Sequence, residues 1–146
     1  MLLPFFGSGL RYTHGVPNTE TAMTHLNLTL TILYVADIAK SAAFYTRLAG
    51  VEPVEASPTF ALFAFKNGGR LGLWRRDTVT PEVTAPSGGS EVAFLVADKI
   101  AVEAAYQAAV ERGETIAQVP MQLDFGFSAV ALDPDGHRVR IYQLDE

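Results

Sequence analysis

Leu123–Gln143, LDFGFSAVALDPDGHRVRIYQ, reads as two strands joined by an Asp-Pro-Asp-Gly turn at residues 133–136. Proline presets φ for a turn, glycine tolerates positive φ, and aspartate side chains hydrogen-bond nearby backbone. Beyond the turn the side chains alternate between faces. His137, Val139 and Ile141 point one way, and Arg138, Arg140 and Tyr142 point the other. Half of this closing strand is polar or amphipathic, either as solvent surface or as the wall of a cleft.

Outward from this hairpin the same order of elements occurs twice. Leu28–Val35 is β-branched and apolar and reads as a strand. Asp37 follows as a helix N-cap, Ile38, Ala42, Tyr45, Leu48 and Ala49 fall at helical spacing, and Gly50 ends the helix. Val51–Glu55 is a short strand, and Thr59–Lys66 and Arg70–Arg75 are strands around Asn67-Gly68. In the second half Ser90–Val96 is a strand, Asp98 caps a helix that stops at Gly113, and Glu114–Val119 is a short strand ended by Pro120. Val35-Ala36-Asp37 recurs as Val96-Ala97-Asp98. Both halves read βαβββ, which points to duplication into two pseudo-symmetric modules. The expected modules are residues 27–77 and 89–144, joined by a linker at 78–88, within one domain at 27–146.

The fold class is therefore α+β, with curved mixed sheets. One helix covers one face of each sheet. A two-residue Asn67-Gly68 loop predicts Ala64 opposite Leu71 and Phe63 opposite Gly72. In that register Leu62, Ala64, Leu71 and Leu73 face the helix, and Phe63, Phe65, Gly72 and Trp74 face the uncovered side. Aromatic residues there call for a second apolar environment: a cleft, a ligand or another subunit.

The chain has 146 residues, enough for one domain with a real core. Its 49% hydrophobic and 18% charged residues suit a folded chain, and a net charge of −5 argues against nucleic acid or anionic membrane as partner. With no cysteine there are no disulfides, thiolate metal sites or cysteine nucleophiles, and a cytoplasmic location is expected. No apolar run is long enough to span a bilayer. Residues 1–26 read as an extension outside the fold. Met23 is a possible start within it, and Leu-Leu-Pro-Phe-Phe a segment that could dock on a partner subunit.

The doubled module, the Val-x-Asp helix entries, Phe44-Tyr45 and the turn Asp133-Pro134-Asp135-Gly136 together resemble the vicinal oxygen chelate superfamily. That group holds glyoxalase I, extradiol dioxygenases, fosfomycin-modifying enzymes and bleomycin-resistance proteins. The resemblance spans about residues 27–143. It implies a cup whose metal ligands come from the first and last strands of each module, here Leu30, Gly72, Glu91 and Arg140. Leu30 and Gly72 have no donor atom and Arg140 is a cation, so one carboxylate remains where a divalent ion needs several donors. No metal or other cofactor is expected. Glu55 to Phe60, Leu71-Gly72-Leu73-Trp74, Asp124-Phe125-Gly126 and Asp133 to Arg138 are similar to metal-free phenazine-antibiotic (griseoluteate) resistance proteins. That likeness implies a homodimer binding a planar aromatic compound.

Trp74, the only tryptophan, either stacks on a planar ligand or fills a dimer core. Arg140 can pair with a ligand carboxylate that Glu91 helps orient or form a salt bridge with Glu91, and both can hold at once because such a pair still offers spare donors. Phe63, Phe65, Phe125, Phe127 and Tyr142 are expected to line the cup, with Tyr34 at its rim. The loop after Ala131 can be counted as three or four residues, which leaves the facing of Phe125 and Phe127 open. His14, His25 and His137 form no spaced pair, so a histidine metal site or histidine-based dyad is not expected. Ser57 and Ser128 lack a G-x-S-x-G context, and Gly68-Gly69 and Gly88-Gly89 fall in turns rather than opening helices. The leading expectation is metal-independent sequestration of a small planar aromatic antibiotic or metabolite. The alternatives are an enzyme of the superfamily with non-standard site residues, and an interaction module whose aromatic face is a dimer interface.

Overall fold

A computed structural model describes residues 25–146. The expectations for an N-terminal extension, a start at Met23 and docking of Leu-Leu-Pro-Phe-Phe lie outside the described residues. The first module runs β1 (Thr31–Val35), α1 (Ile38–Ala49), β2 (Glu55–Ala56), β3 (Phe60–Ala64) and β4 (Arg70–Arg75), followed by a 3-10 turn at Arg76–Thr78. The second runs β5 (Glu91–Leu95), α2 (Lys99–Glu111), β6 (Thr115–Gln122), β7 (Gly126–Leu132) and β8 (Arg138–Leu144). Their sheets have the orders β1-β4-β3-β2 and β5-β8-β7-β6. In each, the first strand pairs parallel with the last and the remaining pairs are antiparallel. The α+β class and the doubled βαβββ order are as expected.

Both helices start for the same local reason. Asp37 and Asp98 sit in extended conformation, and their carboxylates accept from the N–H groups of Lys40 (3.0 Å) and Ala101 (2.8 Å), satisfying first-turn donors. Gly50 ends α1 at φ 72°, its N–H bonded to the Thr46 carbonyl at 2.8 Å. Helix α1 buries Ile38, Ser41, Phe44 and Tyr45. Ile38, Phe44 and Tyr45 pack with Leu33, Val35, Ala61, Phe63, Leu71 and Leu73, and Val139 of the second module joins the same core.

The β3–β4 register differs from expectation by one residue. Phe63 lies opposite Leu71 and Leu62 opposite Gly72. The loop has three residues, Lys66-Asn67-Gly68: Phe65 bonds Gly69 (2.9 Å), and Gly68 takes the left-handed φ of 95°. A one-residue slip reverses which side chains of a strand meet the core. Phe63 is fully buried under α1, and Phe65 packs against that core as well. Leu62 turns to the other face with Phe60, Leu30, Ile32 and Trp74. The assignments of Gly72 and Trp74 to the face away from α1 hold, because β4 itself was read in the correct phase.

The second hairpin also has a three-residue loop, Pro134-Asp135-Gly136, with Asp133 bonded to His137 (2.9 Å) and Gly136 at φ 88°. Ser128 therefore lies opposite Tyr142, and Val130 opposite Arg140. Phe127 shares its parity with Ala129 and Ala131, so it faces α2 rather than the cup, and the Lys99 ammonium sits 5.6 Å from its ring centre. Strand β6 runs through Pro120 instead of ending there. It is an edge strand, and its register shifts between Gln118 and Met121, so the N–H that proline lacks is not required by the ladder.

Candidate functional site

The two faces turned away from the helices differ in chemistry. On the first sheet Trp74 lies across from Phe60 on β3 and Tyr34 on β1. The Tyr34 and Trp74 rings meet edge to face, 6.3 Å between centres. Gly72 allows the Phe60 ring to lie flat on the strand, since a Cβ at Gly72 would come within 2.8 Å of Phe60 Cζ. Phe60 and Leu62 are buried, and Trp74 is partly so. Among the described residues the buried indole Nε1 of Trp74 has no hydrogen-bond partner. A buried donor left unpaired is costly.

On the second sheet the centre of the open face is a polar network. Arg140 grips Glu91 with Nε (2.6 Å) and Nη2 (3.0 Å), a bidentate pair reaching diagonally across β5 and β8. Its Nη1 donates to Ser128 Oγ (2.8 Å) and Gln118 Oε1 (3.3 Å), and Ser128 Oγ donates to Gln118 Oε1 (3.1 Å). The hydrogen bond from Arg140 holds the Glu91 carboxyl below its usual range against the opposing effect of burial, and the same bond raises the guanidinium. Around the network Leu95, Met121 and Leu144 remain exposed, and Phe125 meets Tyr142 edge to face at 5.9 Å.

Trp74 and Tyr34 thus form one group, while Arg140, Glu91, Tyr142 and Phe125 form a second on the other sheet. Phe63, Phe65 and Phe127 belong to the helix-facing sides. Of the two expectations for Arg140, the structure contains the salt bridge. Gln118 has no signal in the sequence, and Ser128 enters there only as a serine without a nucleophile context, because their approach to Arg140 depends on the bulged β6 register, which no local pattern encodes. Between the modules a cavity of about 590 Å³ is lined by Thr31, Phe65, Lys66, Arg70, Glu91 and Phe94, among others.

The superfamily metal site does not fit these residues. Leu30 and Gly72 offer no ligand atom, and both Glu91 oxygens are already held by a cation. Among the described residues no three His, Asp or Glu side chains gather in a way that could hold an ion.

His137, which has no spaced histidine partner in the sequence, has a carboxylate partner in the fold. The three-residue turn sets His137 against Asp133, with Nδ1 at 2.9 Å and 3.1 Å from its two carboxylate oxygens. Tyr45 of α1 donates to Asp133 Oδ2 at 2.7 Å, and the backbone N–H groups of Asp135 and His137 donate to Oδ1. Burial pushes the Asp133 carboxyl up, but hydrogen bonds from His137 and Tyr45 outweigh it and the net shift is down. Burial, then the Asp133 charge, drives the Tyr45 hydroxyl far above its ordinary value.

A family model described as the Glyoxalase/Bleomycin resistance protein/Dioxygenase superfamily matches residues 23–141. Among solved structures, a protein of Agrobacterium tumefaciens determined by NMR in solution is 40% identical, with a TM-score of 0.72. That match covers 84% of this chain and 100% of that one. A glyoxalase-related enzyme from Fulvimarina pelagi is 24% identical over 80% of this chain and 87% of its own, with a TM-score of 0.71. A lactoylglutathione lyase from Agrobacterium tumefaciens is 18% identical over 82% and 95%, with a TM-score of 0.65. At these lower identities the likeness is one of fold. No curated protein matches the chain.

Proposed function

The chain belongs to the glyoxalase/bleomycin resistance protein/dioxygenase superfamily, and within it we propose that it binds a small planar aromatic compound without a metal. The observation that carries this reading is the Trp74 indole, whose buried Nε1 has no partner among the described residues, on an apolar face beside Tyr34. A flat ring with an acceptor atom at its edge, as in a phenazine, would stack on or against these rings and take the free N–H. Such aromatic pairs add about 0.5–1.5 kcal/mol beyond area burial. The occupied carboxylate of Glu91 speaks for metal independence. The working unit in this proposal is a homodimer that encloses the face, and binding serves sequestration rather than turnover.

Trp74 is the only tryptophan, so its fluorescence reports the face directly. Titration with phenazine-type compounds should quench it saturably, with the same curve in the presence of a chelator. Failure of every tested compound to quench or to raise the melting temperature would remove the proposal. Stoichiometric zinc, nickel, manganese or iron in protein purified without chelator, required for binding, would replace it with a metal-dependent reading.

A further inference from the structure

The Asp133–His137 pair has a third member. Ser87, in the segment joining the modules, places its Oγ 3.2 Å from His137 Nε2. The ring thus has a carboxylate on Nδ1 and a hydroxyl on Nε2. Asp133 accepts every bond made to it, so Nδ1 carries the proton, and in the neutral imidazole Nε2 is the acceptor for the Ser87 hydroxyl. A hydroxyl, an imidazole acceptor and a carboxylate that fixes the tautomer form the arrangement that activates a serine for acyl transfer, and it is recognised by geometry rather than by sequence order. The carboxylate is itself held from three other directions, by Tyr45 and by the backbone of Asp135 and His137, so the imidazole has a fixed partner.

Ser87 and His137 both line a cavity of about 260 Å³. Ile32, Tyr34, Val83 and Pro86 supply apolar walls, and the backbone of Gly88 and Gly89 runs along it without side chains. Glycine lets a reacting carbonyl approach main-chain groups closely. From this constellation we propose that Ser87 is a nucleophile for carboxylic esters with a short acyl group, at a site that adjoins the Trp74 face through Ile32 and Tyr34. Ser87 Oγ bonds to the acyl carbon as its proton passes to His137 Nε2. The bond to the leaving oxygen then breaks, and that oxygen takes the proton from Nε2. Water attacks the acylated serine by the same route, releasing the carboxylic acid and restoring the hydroxyl. No oxidant or reductant takes part.

The full chain, incubated with p-nitrophenyl acetate and digested, should carry an acetyl group on Ser87. Nitrophenol release should fall by at least about 100-fold in Ser87→Ala, the ordinary scale of general-base assistance. Ser87→Cys gives a check that needs no substrate, because the chain has no other cysteine. His137 should make that thiol react with iodoacetamide at least about tenfold faster than the thiol of Thr115→Cys, placed at an exposed position away from the cavity. Melting curves show whether both variants are folded. Absence of acetyl from Ser87, nitrophenol release unchanged in Ser87→Ala, or equal alkylation of the two cysteine variants overturns the proposal.

Discussion

The two hairpin turns hold equivalent places in the two modules and tie the halves together by different physics. Each is a three-residue loop closed by a left-handed glycine, Gly68 in the first and Gly136 in the second. The residues flanking the first loop are Phe65 and Gly69, and those flanking the second are Asp133 and His137. Phe65 stacks on Phe63 and meets Phe94 of β5 edge to face, 5.7 Å between centres. Asp133 reaches the other way and takes the hydroxyl of Tyr45 on α1, while Asp135 accepts the Ala36 N–H at 2.9 Å. One backbone device thus supports an apolar tie and a charged one. The charged tie is the specific one, since a buried carboxylate has to find each of its donors.

Removing the charged tie should have the largest effect on stability. Asp133→Ala strands the Tyr45 hydroxyl, the His137 ring and two backbone N–H groups. Loss of one partner of a buried ionic cluster costs about 3–5 kcal/mol, measurable as a lower midpoint in urea. A cost under about 1 kcal/mol would show that the turn does not join the modules. Phe65→Ala tests the apolar tie. A fully buried phenylalanine costs about 3–5 kcal/mol on truncation, and Phe65 is only half-buried, so about 2 kcal/mol is expected.

The same two turns show what was legible in the sequence. Asp-Pro-Asp-Gly announced its hairpin, and Asp37, Asp98 and Gly50 marked the helix ends, because each acts within three or four residues. The facing of Phe63 and Phe65 was misread because Asn-Gly is also the signature of a two-residue turn. Choosing between loops of two and three residues requires the packing of the whole strand. Glu91 and Arg140 were legible as a pair only through the resemblance to the superfamily, whose ligand positions they occupy. The Ser87–His137–Asp133 constellation was not legible, since 50 residues separate Ser87 from His137 and only the tertiary fold closes that gap.

Acid should separate the two ties next. The folded-state pKa of Asp133 lies below that of the unfolded chain, so the unfolded state binds more protons at low pH. Its contribution is complete above the unfolded value of about 3.9 and is lost as pH falls through the folded one. Stability of the wild type should therefore decline below about pH 4. Asp133→Asn should flatten that decline. Phe65→Ala should keep the wild-type slope and shift only the level. Equal slopes in all three proteins would place the acid sensitivity elsewhere.

The smallest effect is expected where a charged pair lies within one sheet rather than between modules. Glu91→Gln removes the charge that Arg140 grips, but the Glu91 side chain is 33% exposed and water screens the pair. Exposed ion pairs contribute about 0–1 kcal/mol, and Arg140 keeps Ser128 and Gln118 as partners, so the melting point should hardly move. The consequence should instead appear in recognition. With Glu91 neutral, the guanidinium has charge to spare on an open face, and an aromatic carboxylate should bind the variant more tightly than the wild type, in a salt-dependent way. A stability loss above about 2 kcal/mol would mean that Arg140 behaves as a buried charge, as Asp133 does, and the contrast between the two ionic sites would disappear.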